Sequence, residues 1–192
     1  MNPDIAQLIM AVGRLEAGNI TLLGTAFAVD KQRFATAAHV TGQNDLGLQV
    51  ILPKIKNLTA YQDTTDAQVQ TVPAKIVAYD PIRDISVLEV EGITCAFTYS
   101  LAGTDEAVPG TPITSVGFPH SDHGRLVLTQ QTNSVGARVL LAAGPLKTKQ
   151  IVMNVQTRPG QSGSPVFLDG TPRVCAMILG MGIGRSKGRV QQ

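Results

Sequence analysis

Cysteine is scarce in this chain. Only Cys95 and Cys175 occur in 192 residues, which excludes a disulfide framework as the source of stability. The pair reads as two buried thiols, with a single bridge between them as the alternative. Long apolar runs are missing too: no stretch of about eighteen apolar residues exists, which excludes a transmembrane helix. Neither sign of charge is in surplus. With 16 basic and 14 acidic side chains the net charge is +2, so neither nucleic acid nor an anionic membrane is expected as a partner. The small basic group Arg185, Lys187 and Arg189 reads as a solvated tail. No Lys or Arg precedes the apolar patch Ile5 to Val12, and Asp4 stands in front of it, the wrong polarity for a secretory signal. Internal repeats and low-complexity tracts are absent as well. Together these absences predict a soluble, cytoplasmic chain.

The length allows one large domain or two small subdomains, and 43% of the residues are hydrophobic, ample for a core. Behind Pro3 and Asp4, the residues Ile5, Leu8, Ile9 and Val12 fall at helical spacing. A short leading helix is predicted there, within an extension over residues 1–17. From Gly18 onward the pattern changes to short β-type runs, at residues 21–29, 33–37, 49–52, 74–79, 85–89, 113–117, 126–135, 151–155, 164–168 and 174–179. Turn signals separate them, among them Asp80-Pro81, Val108-Pro109-Gly110, Ala143-Gly144-Pro145 and Asp169-Gly170. Many short strands without helical periodicity between them predict an all-β sandwich or barrel. A polar stretch near Tyr99 to Gly110 divides the chain into similar halves, residues 18–100 and 111–192, joined by a connector over 101–110. Two small barrels side by side would leave a cleft between them, where ligand sites tend to lie.

Three polar motifs stand out against this pattern. Arg158-Pro159-Gly160-Gln161-Ser162-Gly163-Ser164-Pro165 places a serine between glycines ahead of the apolar run Val166-Phe167-Leu168. Glycines permit backbone angles at which successive amides converge on one point, as an oxyanion pocket requires. His39 follows Thr36-Ala37-Ala38 at the end of a strand-like run, which sets its ring at an edge rather than in the core. Asp84 stands just before the alternating strand Ile85, Val87, where a carboxylate can accept the Nδ1–H of a histidine and fix its tautomer. Asp80, ahead of Pro81, reads as a turn residue. The remaining histidines lie in His120-Ser121-Asp122-His123. This H-x-x-H is read as a polar loop rather than a metal site, because no cysteine or glutamate supports it.

Thr36-Ala37-Ala38-His39, Asp84-Ile85-Ser86-Val87-Leu88 and Gly160-Gln161-Ser162-Gly163-Ser164-Pro165 occur in that order. They resemble the three motifs of trypsin-like serine proteases of the chymotrypsin fold, the bacterial HtrA (Deg) group and related trypsin-like peptidases most of all. Gly24-Thr25-Ala26-Phe27-Ala28-Val29 is similar to the strand that precedes the histidine in that group, and Val116-Gly117-Phe118-Pro119 to its G-x-P turn. The order His, Asp, Ser differs from that of subtilisins and α/β-hydrolases. The resemblance implies two packed antiparallel barrels of the six-stranded type with the site in the cleft between them. It implies Ser162 as nucleophile, His39 as general base, Asp84 as the orienting carboxylate, and the amides of Gly160 and Ser162 as the oxyanion hole. Each such donor is worth about 2.7–4 kcal/mol. No cofactor or metal is implied, and the partner is a protein or peptide substrate. A histidine base must be neutral to act, so activity is expected to rise through roughly pH 6–7.5.

Departures from the family pattern carry their own expectations. Digestive trypsins hold an acidic residue before the serine, where it pairs with a newly cleaved N-terminus. Gln161 cannot form that ion pair, so activation by N-terminal cleavage is not expected. Val40 replaces the cysteine that follows the histidine in those secreted enzymes. Gln156 is expected near the base of the pocket for the residue before the scissile bond (P1), with Leu179, Gly180 and Met181 along one wall pairing with extended substrate. Without a carboxylate at Gln156, a charged P1 side chain would be desolvated unpaired, so small or medium uncharged P1 residues are expected. The sequence ends at Gln192, earlier than the family pattern, in which a further strand and helix complete the second barrel. Either the barrel closes differently or the sequence is trimmed, and the P1 wall is the part this bears on. Two other readings stay open: a viral polyprotein-processing serine protease, and a catalytically silent peptide-binding module of the same fold.

Overall fold

The structure is a computed structural model that describes residues 3–96, 99–121, 126–143 and 145–180. Six strands close into the first barrel: β1 (Ile9–Glu16), β2 (Asn19–Ala28), β3 (Arg33–Thr36), β4 (Leu48–Ile51), β5 (Thr71–Asp80) and β6 (Ile85–Val90). Their order around the barrel is β1-β2-β3-β6-β5-β4, every pairing being antiparallel. A four-residue helix, α1 (Ala38–Thr41), interrupts the run after β3. The second half forms a six-stranded sheet from β7 (Ser100–Leu101), β8 (Pro112–Gly117), β9 (Thr129–Ala143), β10 (Leu146–Met153), β11 (Pro165–Leu168) and β12 (Arg173–Met177). Its order is β10-β9-β8-β11-β12-β7. This all-β, chymotrypsin-like pairing of a closed barrel with a curled half-barrel is the architecture the motifs imply.

Three details differ from expectation. The helical spacing over the first residues yields only a 3-10 turn, Pro3–Leu8, and Ile9–Glu16 is a barrel strand. Ile9 to Val12 are all buried because β1 runs between β2 and β4 with packed material on both faces. A strand buried on both faces has no period-two signature, and its apolar residues satisfy helical spacing equally well. The first barrel therefore begins at Ile9 rather than near Gly18. The second sheet stays open among the described residues, and its β7–β12 pair is parallel rather than antiparallel. Strand β7 straddles the expected boundary between the first half and the connector, held by Ser100 N–H to Pro172 O at 2.9 Å and Ala102 N–H to Val174 O at 2.7 Å.

The two halves share one core. The large apolar cluster includes Phe34, Leu48, Leu88 and Val12 of the first barrel and continues into Val116, Phe118, Leu128 and Phe167 of the second. Tyr99 packs edge-on against Phe167, with ring centroids 5.5 Å apart at 83°, and its hydroxyl donates to Ala28 O. Burying side chains of this size contributes about 1.5–3 kcal/mol each. A smaller cluster of Ile113, Val135, Val166, Leu168, Cys175 and Ile178 fills the second half alone. The β4–β5 loop adds a polar clamp. Gln62 donates to Leu128 O at 2.8 Å and accepts from Leu128 N–H at 2.7 Å, tying that loop to the second half. Among the described residues no helix is long and apolar enough to cross a membrane.

Candidate active site

The β5–β6 turn is set by Asp80, whose carboxylate accepts the amides of Ile82 and Arg83, both at 3.0 Å, and the Arg83 guanidinium at 2.7 Å. These bonds, led by the Arg83 amide, hold the Asp80 carboxyl below the usual carboxylate range. The turn then delivers Asp84 in the left-handed region, φ +57, which aspartate tolerates better than most residues. In that conformation Asp84 grips the start of α1 from three directions. Its carbonyl accepts Ala38 N–H at 3.1 Å, Oδ1 accepts His39 N–H at 2.8 Å, and Oδ2 meets His39 Nδ1 at 2.6 Å. A carboxylate has no proton to give, so the ring proton sits on Nδ1 and Nε2 presents its lone pair. Buried Ala37 and Ala38 let the helix start lie close against the barrel. The pair remains open to solvent, with 46% of the His39 side chain and 29% of the Asp84 side chain exposed.

Ser162 comes from the opposite half, on the loop between β10 and β11. Gly160 and Gly163 have φ of +90 and +87, and a Cβ at either would strike neighbouring atoms: Phe118 O at 2.3 Å for Gly160, Thr25 O at 1.9 Å for Gly163. The loop is threaded between the two halves so tightly that only glycine fits. Four carbonyls in succession are occupied. Pro159 O accepts His120 N–H at 2.8 Å, Gly160 O accepts the Thr25 hydroxyl at 2.8 Å, Gln161 O accepts Ser164 N–H at 2.9 Å, and Ser162 O accepts Thr25 N–H at 2.8 Å. The amides of Gly160 and Ser162 donate to no group among the described residues.

The side chain of Gln161 is 3% exposed and is used inside the loop. Its Oε1 accepts Arg158 N–H at 2.7 Å and its amide donates to Gln131 Oε1 at 3.2 Å.

Gly180 marks where the halves meet. A Cβ built on it would stand 2.9 Å from Ser162 Oγ and 3.5 Å from His39 Nε2. Oγ and Nε2 therefore border one small space, although no hydrogen bond joins them among the described residues. The segment leading to Gly180 is fixed alongside the serine loop by Gly163 N–H to Ile178 O and Ile178 N–H to Ser164 O, both at 2.8 Å. Leu179 is half-buried against the shared core. Gln156 is exposed on the segment after β10. Met181 lies outside the described residues, as do Asp122 and His123, so the H-x-x-H stretch is described only through Ser121. What is seen of it serves the serine loop: His120 takes φ +63 and its amide holds Pro159 O.

Both cysteines are free and buried, and burial pushes both thiols up, Cys175 to about 11. A thiol held protonated at neutral pH is no nucleophile, which leaves Ser162 as the candidate. Sequence reading missed Thr25 and Gln131, which touch the loop from distant strands. The one signal the sequence offers is the strand-like Gly24-Thr25-Ala26-Phe27, which gives the hydroxyl no evident task.

Solved structures with the same fold include the MamO protease domain from Magnetospirillum magneticum, at 14% identity and TM-score 0.66, covering 92% of this chain and 85% of that one. The active form of the Rv3671c protease from M. tuberculosis gives 20% and 0.65, covering 93% and 72%. Deg5 gives 19% and 0.62, covering 85% and 75%. At such identities the likeness speaks for the fold. Family is decided by the sequence itself: residues 24–177 match the model of the trypsin-like peptidase domain, and the chain belongs to the trypsin-like peptidases.

Proposed function

We propose that this trypsin-like protease is a serine endopeptidase in which Ser162 attacks, His39 is the general base and Asp84 orients it. One observation carries the reading: Ser162 Oγ and His39 Nε2 border the same space beside Gly180, while Nδ1 is held by Asp84. Nε2 takes the hydroxyl proton as Oγ bonds to the scissile carbonyl carbon. The carbonyl oxygen becomes an oxyanion facing the unused amides of Gly160 and Ser162. Collapse expels the amine, which receives the proton from Nε2, and leaves an acyl group on Oγ. Water then repeats the sequence with Nε2 again as base, freeing the acid and restoring Ser162.

Extended substrate is bound along Leu179 and Gly180, continuing towards Met181, by backbone pairing. Gln156 offers no carboxylate, so uncharged P1 side chains are preferred. Cleavage of Arg substrates ahead of Ala, Val or Leu substrates in a fluorogenic panel would refute that preference.

The missing hydrogen bond between Nε2 and Oγ favours a second reading, a peptide-binding module without turnover. In unliganded enzymes this contact is often loose and tightens on binding. A fluorophosphonate probe separates the two. The endopeptidase reading predicts modification of Ser162 in the wild type and its loss in His39→Ala. A silent module predicts no modification in either.

A further inference from the structure

Thr25 lies in β2 of the first barrel, 0% exposed, yet two of the four bonds to the successive carbonyls of the serine loop come from it. Its hydroxyl donates to Gly160 O at 2.8 Å and its amide donates to Ser162 O at 2.8 Å. The same hydroxyl accepts Phe118 N–H at 3.2 Å, at the end of β8. Its carbonyl accepts the Thr36 hydroxyl at 2.7 Å. The polar groups of Thr25 are thus all in use, and each bond of the hydroxyl crosses from the first barrel to the second half.

Peptide units are planar and trans, so fixing a carbonyl also fixes the amide on its far side. Thr25 holds the Gly160–Gln161 and Ser162–Gly163 units, which alternate with the units carrying the amides of Gly160 and Ser162. Thr25 thus fixes the unit that follows each of these amides, and with it the α-carbons between which they are strung, while the amides' own units are held by Pro159 O to His120 N–H and Gln161 O to Ser164 N–H. Glycines at 117 and 163 allow the approach: a Cβ on Gly117 would come 3.1 Å from Thr25 Oγ1, and one on Gly163 would come 1.9 Å from Thr25 O. We propose that Thr25 is a positioning residue for the oxyanion amides, setting the geometry of the second half's loop from within the first barrel. The assignment rests on the serine endopeptidase reading above.

Thr25→Val keeps the shape and removes the hydroxyl, leaving Gly160 C=O and Phe118 N–H buried without that partner. Thr25→Ser restores the hydroxyl and removes only a methyl group. With a peptide substrate, kcat of Thr25→Val is expected to fall by roughly ten- to a hundredfold while KM stays within about twofold. Thr25→Ser is expected to recover kcat to within about threefold, and fluorophosphonate labelling of Ser162 to follow the same order. If the Val variant does not fold, Thr25→Ser against Thr25→Ala carries the same test, since the two differ by the hydroxyl alone.

Wild-type kcat in the folded Val or Ala variant would overturn the assignment. So would a rise in KM at unchanged kcat, or a Ser variant as impaired as its partner. A wild type that neither labels nor turns over peptide would instead overturn the endopeptidase reading, and the role of Thr25 with it.

Discussion

The two halves of the molecule position their chemistry by different means. In the first barrel a single side chain does the work. Asp84 accepts the His39 backbone and ring together, and its own place is set by the Asp80 turn. In the second half the backbone does it, with four consecutive carbonyls from Pro159 to Ser162 bonded and two amides left over. The barrel that holds the carboxylate is closed, whereas the sheet behind the serine loop is open among the described residues. Two of the four bonds to those carbonyls reach the loop from across the seam, from Thr25. A site split this way has one half sensitive to side-chain chemistry and the other sensitive to space.

The sharpest way to break that comparison is Asp84→Asn. The amide would present an N–H to Nδ1 or lose its bond, favouring the tautomer with the proton on Nε2, which cannot act as base. A fall in kcat of about ten-thousandfold is expected with KM little changed; steady-state kinetics on one peptide would measure it.

Next in size is Gly180→Ala, which tests space rather than charge. The new Cβ would lie 2.9 Å from Ser162 Oγ, and a displacement that small is expected to lower kcat by roughly ten- to a hundredfold. Gly103→Ala is the matched control: its φ is −117 and its nearest neighbour, Asp105 N, is 3.9 Å away. Activity within about twofold of wild type is expected there.

The smallest effect concerns pH. The folded-state pKa of Asp80 lies below its ordinary value. Its stabilising contribution is therefore present above about pH 4 and is lost as pH falls through the lowered pKa. Asp80→Asn should unfold at a lower temperature than wild type at pH 7, with the gap narrowing towards pH 2. Parallel thermal melts across that range would show it. An unchanging gap would mean that the carboxylate charge is not what holds the turn.

Much of this was legible in the chain itself, for a physical reason. His39, Asp84 and Ser162 each sit in a short local motif, and strands such as β6 and β8 announce themselves through alternation or turn residues at their ends. What stayed hidden depended on distance along the chain or on burial. The bond from Thr25 to Gly160 spans 135 positions, and nothing local marks a strand threonine as its donor. Strand β1 was masked because burial on both faces erased its alternation. Strand β7, two residues long, has too little sequence to carry any pattern, and only β12 beside it makes it a strand. In the sequence, Gln161 stands out only for the ion pair it cannot make. Its actual bonds, to Arg158 and Gln131, needed the folded loop to be seen.

The central claim is that Ser162 forms an acyl intermediate under the control of His39. Its most direct test is to acid-quench the reaction with a slowly hydrolysed p-nitrophenyl ester and map the adduct by mass spectrometry. The predicted result is one acyl group on Ser162 in the wild type, none in Ser162→Ala, and far slower formation in His39→Ala. Ester turnover without an adduct on Ser162, or an adduct that forms as fast without His39, would contradict it.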